Sequence, residues 1–279
     1  MTRRAFVIGH PIAHSRSPML HGYWLRRYRI DATYERRDVS PSQLADFVAE
    51  FRREGWAGCN VTVPHKTAIV PHLDRLDETA VAVGAVNTLW WEAGELVGGN
   101  TDASGFLANL DERVPGWDRR AGHAVLLGAG GAARAAIVGL RQRGFSVAIF
   151  NRSRDTAAAL AAHFGEGVAA RDLPELAAAL AGADLLINAT SLGMSGQPAL
   201  VLDLASLPDH AIVHDVVYAP LETALLRAAA ARGLRTVDGL GMLLHQATPG
   251  FRRWFATEPE VTAELRALLV ADIRSKTPD

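Results

Sequence analysis

The stretch 124–134, read A-V-L-L-G-A-G-G-A-A-R, constrains this chain more than any other. A short apolar run, Ala124 to Leu127, meets Gly128-Ala129-Gly130-Gly131 and then an Ala-rich segment of helical character that begins at Ala132. Strand, tight glycine turn and helix is the order that a dinucleotide site needs. Glycines let the backbone turn sharply and approach a pyrophosphate, and the helix N-terminus points N–H groups at it. The spacing is G-x-G-x-x-A, with Ala133 in the last small position. A second apolar run, Phe145 to Phe150, follows at the distance expected of a βαβ unit.

The end of that second run bears on the cofactor. A site for NAD usually carries Asp or Glu there, for the ribose 2′-hydroxyl. Here the residues are Asn151-Arg152-Ser153-Arg154. With no carboxylate and two guanidiniums, the charge and bidentate geometry suit a 2′-phosphate. The sequence therefore predicts NADP.

A chain of 279 residues suggests two domains. Its hydrophobic fraction of 49% and charged fraction of 21% are ordinary for a soluble globular protein. The net charge of −1 argues against nucleic acid as the main partner. Cys59 is the only cysteine, so no internal disulfide can form, which suits a reducing cytoplasm. It sits in an apolar stretch and reads as core. The apolar run behind Arg3-Arg4 stops at Gly9-His10-Pro11, too short for a signal segment. No stretch is long and apolar enough to span a membrane.

Ala5 to Ile8 reads as a first strand, and Ser17 before Pro18 as a helix start with Ser at N-cap. A second strand lies around Thr33 to Val39. Ser40-Pro41-Ser42-Gln43 offers a capping box to a helix closed by Gly55. Cys59 to Val63 is a third strand, ended by Pro64, and Lys66 lies just beyond it, at the edge where α/β folds bind ligands. A helix is expected from Asp74 to Val83, a strand from Ala85 to Trp91, and a helix from about Ser104 to Leu110. Beyond Arg154, helices at Thr156–Phe164, Leu173–Leu180 and Leu221–Ala231 alternate with strands at Asp184–Ala189, Ile212–Val216 and Thr236-Val237. Such alternation implies a parallel sheet covered on both faces. The expected architecture is α/β with two domains. Residues 1–103 plus 238–279 form a substrate domain to which the C-terminal helices return, and residues 104–237 form a Rossmann-like doubly wound domain. Thr248-Pro249-Gly250 predicts a kink or early stop in the closing helix. His245 reads as packing or surface.

Several separated motifs resemble, in order, those of the shikimate dehydrogenase family. Ser15-Arg16-Ser17-Pro18 resembles its S-x-S-P serine pair, Asn60 to Lys66 its N-V-T-x-P-x-K, and Gly84 to Thr88 its G-A-x-N-T. Gly99 to Asp102 resembles G-x-N-T-D, Gly128 to Ala132 G-A-G-G-A, and Asn151-Arg152-Ser153 the N-R-[ST] turn. Asn188-Ala189-Thr190, Asp215 to Pro220 and Gly239 to Gln246, with Met242 in place, also fit. The match runs over nearly the whole chain.

The resemblance implies reversible NADP-linked oxidation of shikimate to 3-dehydroshikimate, in the synthesis of chorismate and aromatic amino acids. A secondary alcohol loses a hydride from carbon and a proton from oxygen, and the proton needs a positioned acid–base group. The resemblance makes Lys66 that group, with Asp102 beside it. Two roles stay open for Lys66: orienting the reacting hydroxyl, or protonating the oxygen in the reductive direction. By the same resemblance, Ser15 and Ser17 meet the substrate carboxylate, and Thr62, Asn87, Asp102, Tyr218 and Gln246 serve the ring substituents. Gly128, Ala129, Gly130, Gly131, Ala132, Asn151, Arg152, Ser153, Arg154, Thr190, Gly239 and Met242 are assigned to the cofactor. No metal is expected. The site is expected in the cleft between domains, where closure can exclude water.

Alternatives remain. One is a quinate/shikimate dehydrogenase using NAD, against which Arg152 and Ser17 argue. Another is an NADP-binding regulator whose chemistry has decayed, which would be expected to lose Lys66 or Asp102. A folate-linked dehydrogenase of similar layout lacks support from the serine pair. A small-molecule substrate, a cytoplasmic location and a monomer or homodimer are expected, with neither nucleic acid nor membrane as partner.

Overall fold

A computed structural model describes residues 2–120 and 122–276. The chain divides into two compact units, Met1–Asp102 with Leu244–Leu269, and Ala103–Leu243 with Val270–Asp279.

The first unit holds, in chain order, β1 (Arg3–Gly9), α1 (Ser17–Arg27), β2 (Ala32–Asp38), α2 (Leu44–Glu54), β3 (Gly58–Val61), α3 (His65–Ala68), β4 (Arg75–Leu76), α4 (Glu78–Val83), β5 (Thr88–Glu92) and β6 (Glu95–Gly99). Its six strands form one sheet in the order β2-β1-β3-β5-β6-β4. β1, β2 and β3 run parallel, while β5 is antiparallel to both β3 and β6. This arrangement places the ends of β1, β3 and β6 and the start of β5 on one edge of the sheet. Phe6, Phe51, Trp56, Leu89 and Leu96 build the core against α2. The capping box forms as expected, with the Gln43 side chain accepting from Ser40 N–H at 3.0 Å, and Gly55 closes α2 at φ +60°.

The second unit holds α5 (Asp102–Arg113, its first residue in the other unit), β7 (His123–Leu127), α6 (Gly131–Gln142), β8 (Ser146–Phe150), α7 (Arg154–Phe164), β9 (Val168–Arg171), α8 (Leu176–Leu180), β10 (Leu185–Asn188), β11 (Ile212–Asp215), α9 (Ala224–Ala231) and β12 (Arg235–Val237). The sheet order is β12-β11-β10-β7-β8-β9, with every pairing parallel. Strand order reverses between β7 and β10, the topological switch point of a doubly wound fold, where nucleotides bind at the carboxyl ends of strands. α10 (Leu240–Phe255) and α11 (Ala263–Lys276) complete the chain.

Several local expectations need correction. Ser17 is the first residue of α1, not its cap; the cap position is Arg16, and its side chain makes no capping bond. The helix expected from Asp74 begins only at Glu78. Asp74 N–H bonds to the Leu96 carbonyl, Arg75 and Leu76 pair with β6, and Asp77 caps α4 by accepting from Ala80 N–H. The strand expected from Ala85 starts at Thr88. An edge strand, β9, occupies 168–171, where no element was expected. α10 runs through Pro249 without a stop. Proline there removes the N–H that would serve the His245 carbonyl, and the Thr248 hydroxyl donates to that carbonyl instead, at 3.0 Å. Packing also holds the last turns: Phe251 and Trp254 are buried against His21, Trp24 and Tyr34. Gly58 makes this possible, since a Cβ there would overlap the Trp254 indole.

The residues 238–243 and 270–276, expected in the first unit, belong with the second. The Asp238 carbonyl accepts from Asn109 Nδ2 at 2.7 Å, and Met242 lies in that unit's core. Gly239 is required by close approach, because a Cβ would stand 2.1 Å from the Val216 carbonyl oxygen.

Candidate active site

In the first unit, the residues assigned to substrate chemistry converge on the sheet edge defined above. Ser15 and Ser17 follow β1, Thr62 and Lys66 follow β3, Asn87 precedes β5, and Asp102 follows β6. Lys66 Nζ donates to Asp102 Oδ2 at 2.5 Å, with the two side chains 20% and 9% exposed. Lys66 is held from both directions. The His65 ring bonds the Val39 carbonyl at 2.6 Å, and Val86 N–H donates to the Lys66 carbonyl at 2.7 Å. Asp102 is held at its backbone, where its N–H donates to Asn100 Oδ1 at 3.0 Å.

Asn87 is the hub of the site. Its N–H donates to the Gly99 carbonyl and its carbonyl accepts from Val61 N–H, fixing its backbone to both neighbouring strands. Its Oδ1 accepts from Thr101 N–H at 2.8 Å, which turns Nδ2 toward Asp102 Oδ1, also at 2.8 Å. Gln246 is drawn into the same cluster: its carbonyl accepts from the Thr101 hydroxyl at 2.7 Å, and its Oε1 lies 3.4 Å from Asn87 Nδ2. Ser15 Oγ accepts from Ser17 N–H at 3.3 Å, and Arg36 clamps the Ser15 carbonyl with two bonds of 2.8 and 2.6 Å.

In the second unit, the assigned cofactor residues follow the carboxyl ends of parallel strands. Gly128 lies at the switch point with φ +106°, and a Cβ on it would stand 2.9 Å from the Ala189 carbonyl oxygen of the β10 side. A Cβ on Gly130, the N-cap residue of α6, would meet nothing within 4 Å, so this approach to the helix N-terminus is open. The glycine turn thus has both the sharp bend and the bare helix start that a pyrophosphate needs. After β8, Asn151 Nδ2 donates to the Ser153 carbonyl and Ser153 caps α7. The two arginines differ. Arg154 is ion-paired with Asp172, whereas Arg152 is exposed with no ion pair among the described residues. Thr190 is committed to its loop, its hydroxyl donating to Asn188 Oδ1 at 2.7 Å. Tyr218 is half-buried beyond β11.

The residues that hold these loops lie within the motifs but carry no site role in the sequence-based expectations. Asp215 is buried, which pushes its carboxyl up, while bonds from Thr223, Val217 N–H and Asn188 oppose the shift. Its partners tie the loops after β10 and β11 together. Asn60, Thr88, Asn100 and Thr101 do similar work in the first unit. For Asn60, Thr88 and Asp215 the signal is a polar side chain at a strand position where an apolar one would be expected. Among the described residues, no group of His, Cys, Asp and Glu could hold a metal. No helix among them is long and apolar enough to cross a membrane.

Two family models match this chain: the shikimate dehydrogenase substrate binding domain over residues 7–89, and shikimate / quinate 5-dehydrogenase over residues 112–201. A shikimate dehydrogenase (NADP(+)) of Mesorhizobium japonicum is 56% identical over 276 residues, 99% of this chain and 98% of the relative. The chain belongs to the shikimate dehydrogenase family. Solved structures of the family agree with the fold. The shikimate 5-dehydrogenase of Thermus thermophilus, in complex with NADP(H) and shikimate, superposes with a TM-score of 0.87 at 38% identity, covering 97% of this chain and 100% of that one. The quinate dehydrogenase of Corynebacterium glutamicum, in complex with NAD, gives 0.89 at 33% identity, covering 97% and 99%. Within the shikimate dehydrogenase framework, Lys66 is one of only two lysines in the chain, the other being Lys276, against 27 arginines (29 basic residues less two). Arginine cannot give up its proton in a protein, and lysine can. A chain that uses arginine nearly everywhere keeps lysine at the position facing Asp102.

Proposed function

We propose that this chain is an NADP-dependent oxidoreductase that interconverts shikimate and 3-dehydroshikimate, a step toward chorismate and the aromatic amino acids. The carrying observation is the Lys66–Asp102 pair, anchored by Asn87 at the sheet edge that also carries Ser15, Ser17 and Thr62. The first unit serves the substrate and the second the cofactor.

Bound NADP supplies the hydride acceptor, and in its reduced form the hydride donor. The chain's own residues do the rest. The Ser15 and Ser17 hydroxyls donate to the substrate carboxylate, and Thr62, Asn87, Tyr218 and Gln246 bond the ring hydroxyls. A site of hydroxyls and amides rejects analogues that leave those groups unpaired. In the reductive direction Lys66 Nζ gives a proton to the ketone oxygen as carbon receives hydride. In the oxidative direction the amine takes the hydroxyl proton back. Asp102 fixes the position of Nζ throughout. Gly128 to Ala132 and the start of α6 receive the pyrophosphate, and Arg152 receives the 2′-phosphate, since Arg154 is engaged by Asp172. Asn151, Ser153, Thr190, Gly239 and Met242 shape the adjoining loops. The expected setting is the cytoplasm, with the enzyme a monomer or homodimer.

Steady-state rates with shikimate and quinate, each with NAD and NADP, test this reading. NADP with shikimate should exceed every other combination by at least about tenfold, a transition-state difference of about 1.4 kcal/mol. Equal rates with quinate or NAD would overturn the assignment in favour of a quinate/shikimate enzyme. No nicotinamide reduction with any combination would make the chain a binding protein.

A further inference from the structure

Behind the Lys66–Asp102 pair, a line of buried side chains leads into the core of the first unit. The Tyr34 hydroxyl donates to Asn60 Oδ1 at 2.6 Å. Asn60 Nδ2 donates to Thr88 Oγ1 at 3.2 Å, and the Thr88 hydroxyl donates to Asn87 Oδ1 at 2.9 Å. Asn87 Nδ2 then donates to Asp102 Oδ1 at 2.8 Å. All four bonds run in one sense, from the phenol toward the carboxylate.

Backbone groups of fixed polarity impose that sense. Asn60 Nδ2 also faces the Asn87 carbonyl at 3.2 Å, which can only accept, so Asn60 Oδ1 must face Tyr34. Asn87 Oδ1 faces Thr101 N–H, which can only donate, so its Nδ2 must face Asp102. Neither amide can flip without setting like groups against each other. Thr101, the other hydroxyl in reach, spends its proton on the Gln246 carbonyl.

The far end of the line carries no charge. Burial pushes the Tyr34 phenol well above its ordinary range, so it remains a donor. Burial likewise pushes the neighbouring Cys59 thiol up and holds His21, stacked 3.9 Å from the Tyr34 ring, down at about 3. Hydrogen bonds aligned head to tail polarise one another, so each strengthens the next.

We propose that Tyr34 and Thr88 are positioning residues for the Lys66–Asp102 pair, acting through this one-way chain to hold the carboxylate with Oδ2 turned to Lys66. The proposal rests on the catalytic reading above for its consequence in turnover, but not for its consequence at Lys66 itself. Because the chain has only two lysines, an amine-reactive reagent followed by mass spectrometry reads Lys66 against Lys276 as an internal standard.

The test compares wild type with Tyr34→Phe, Thr88→Val, Thr88→Ser and the Tyr34→Phe/Thr88→Val double variant. In each single variant lacking a donor, Lys66 labelling relative to Lys276 should rise by about threefold or more, as the pair loosens. kcat with shikimate should fall by about tenfold, with the KM for NADP within about twofold. The double variant should lose no more than the worse single one, because both cut the same line. Thr88→Ser, which keeps the hydroxyl, should stay within about twofold of wild type. If Tyr34→Phe does not fold, the Thr88 pair of variants decides alone. Unchanged Lys66 labelling, multiplicative losses in the double variant, or equal losses in Thr88→Ser and Thr88→Val would each overturn the proposal. If the wild type does not oxidise shikimate, the functional reading fails, while the labelling ratio still decides the relay.

Discussion

Asn87 Nδ2 and Lys66 Nζ divide the two oxygens of one carboxylate: Asp102 Oδ1 takes the amide at 2.8 Å and Oδ2 the amine at 2.5 Å. Each oxygen thus has a donor of its own. The carboxylate that holds Lys66 is thereby aimed by a side chain whose backbone is tied to the strands on either side of it.

Asp102→Asn tests that aim. The change keeps the shape but removes the charge, and the new Nδ2 must then face a donor, either Asn87 Nδ2 or Lys66 Nζ. Turnover should fall by about a hundredfold or more, within the span ascribed to positioned acid–base groups. Steady-state kinetics with shikimate and NADP check it, and a loss under about threefold would remove Asp102 from the mechanism.

Arg152→Ala should raise the KM for NADP by about tenfold or more, the value of a lost charge-assisted contact, and leave NAD kinetics nearly unchanged. Arg154→Ala should alter neither by more than about threefold, because the residue is engaged by Asp172. The reverse pattern would move the 2′-phosphate site to Arg154.

The buried histidines predict how stability follows pH. His21 and His214 titrate at about 3 and about 4 in the fold, both pushed down by burial from an ordinary 6.5. Below 6.5 the unfolded chain takes up protons that the folded chain refuses, so stability is full above that pH and is lost as pH falls. Each histidine contributes a slope of up to about 1.4 kcal/mol per pH unit in its window. His21→Phe suits the aromatic surroundings of Tyr34, Trp24 and Phe251. Urea unfolding from pH 7 to pH 5 should show a flatter profile in that variant; an unchanged slope would contradict the burial argument.

Pro249 and Thr248 predict a pair of opposite effects. Thr248→Val removes the hydroxyl bond to the His245 carbonyl and should lower stability by about 1 kcal/mol. Pro249→Ala restores the missing N–H and should raise it by about 1 kcal/mol or more. Denaturant midpoints check both, and a loss in Pro249→Ala would show that proline's restraint of the unfolded chain outweighs the helix defect.

These residues also show how far the sequence could be read. The glycine turn was legible because Gly128 needs a positive φ and a bare Cα against Ala189, constraints that only glycine meets. The roles of Arg152 and Arg154 were not separable, because the partner that distinguishes them, Asp172, lies beyond the whole of α7. Of the kink or early stop expected at Pro249, the stop does not occur, because a neighbouring hydroxyl and aromatic packing carry the helix on. β4 and β9 escaped notice because each is a short strand at the edge of its sheet, with little apolar pattern to betray it. Lys66 and Asp102 could be named from their motifs, but their contact spans 36 residues and exists only because β3 and β6 end on the same edge. Tyr34, Asn60 and Thr88 carried no motif of their own as a line; only the register that sets Asn60 opposite Thr88 joins them.

The most direct measurement is the single-turnover rate of nicotinamide reduction by Lys66→Ala, with shikimate and NADP both saturating and binding of each measured separately. Proton transfer by Lys66 requires a fall of about a hundredfold or more with NADP affinity retained. A rate within about threefold of wild type would contradict it.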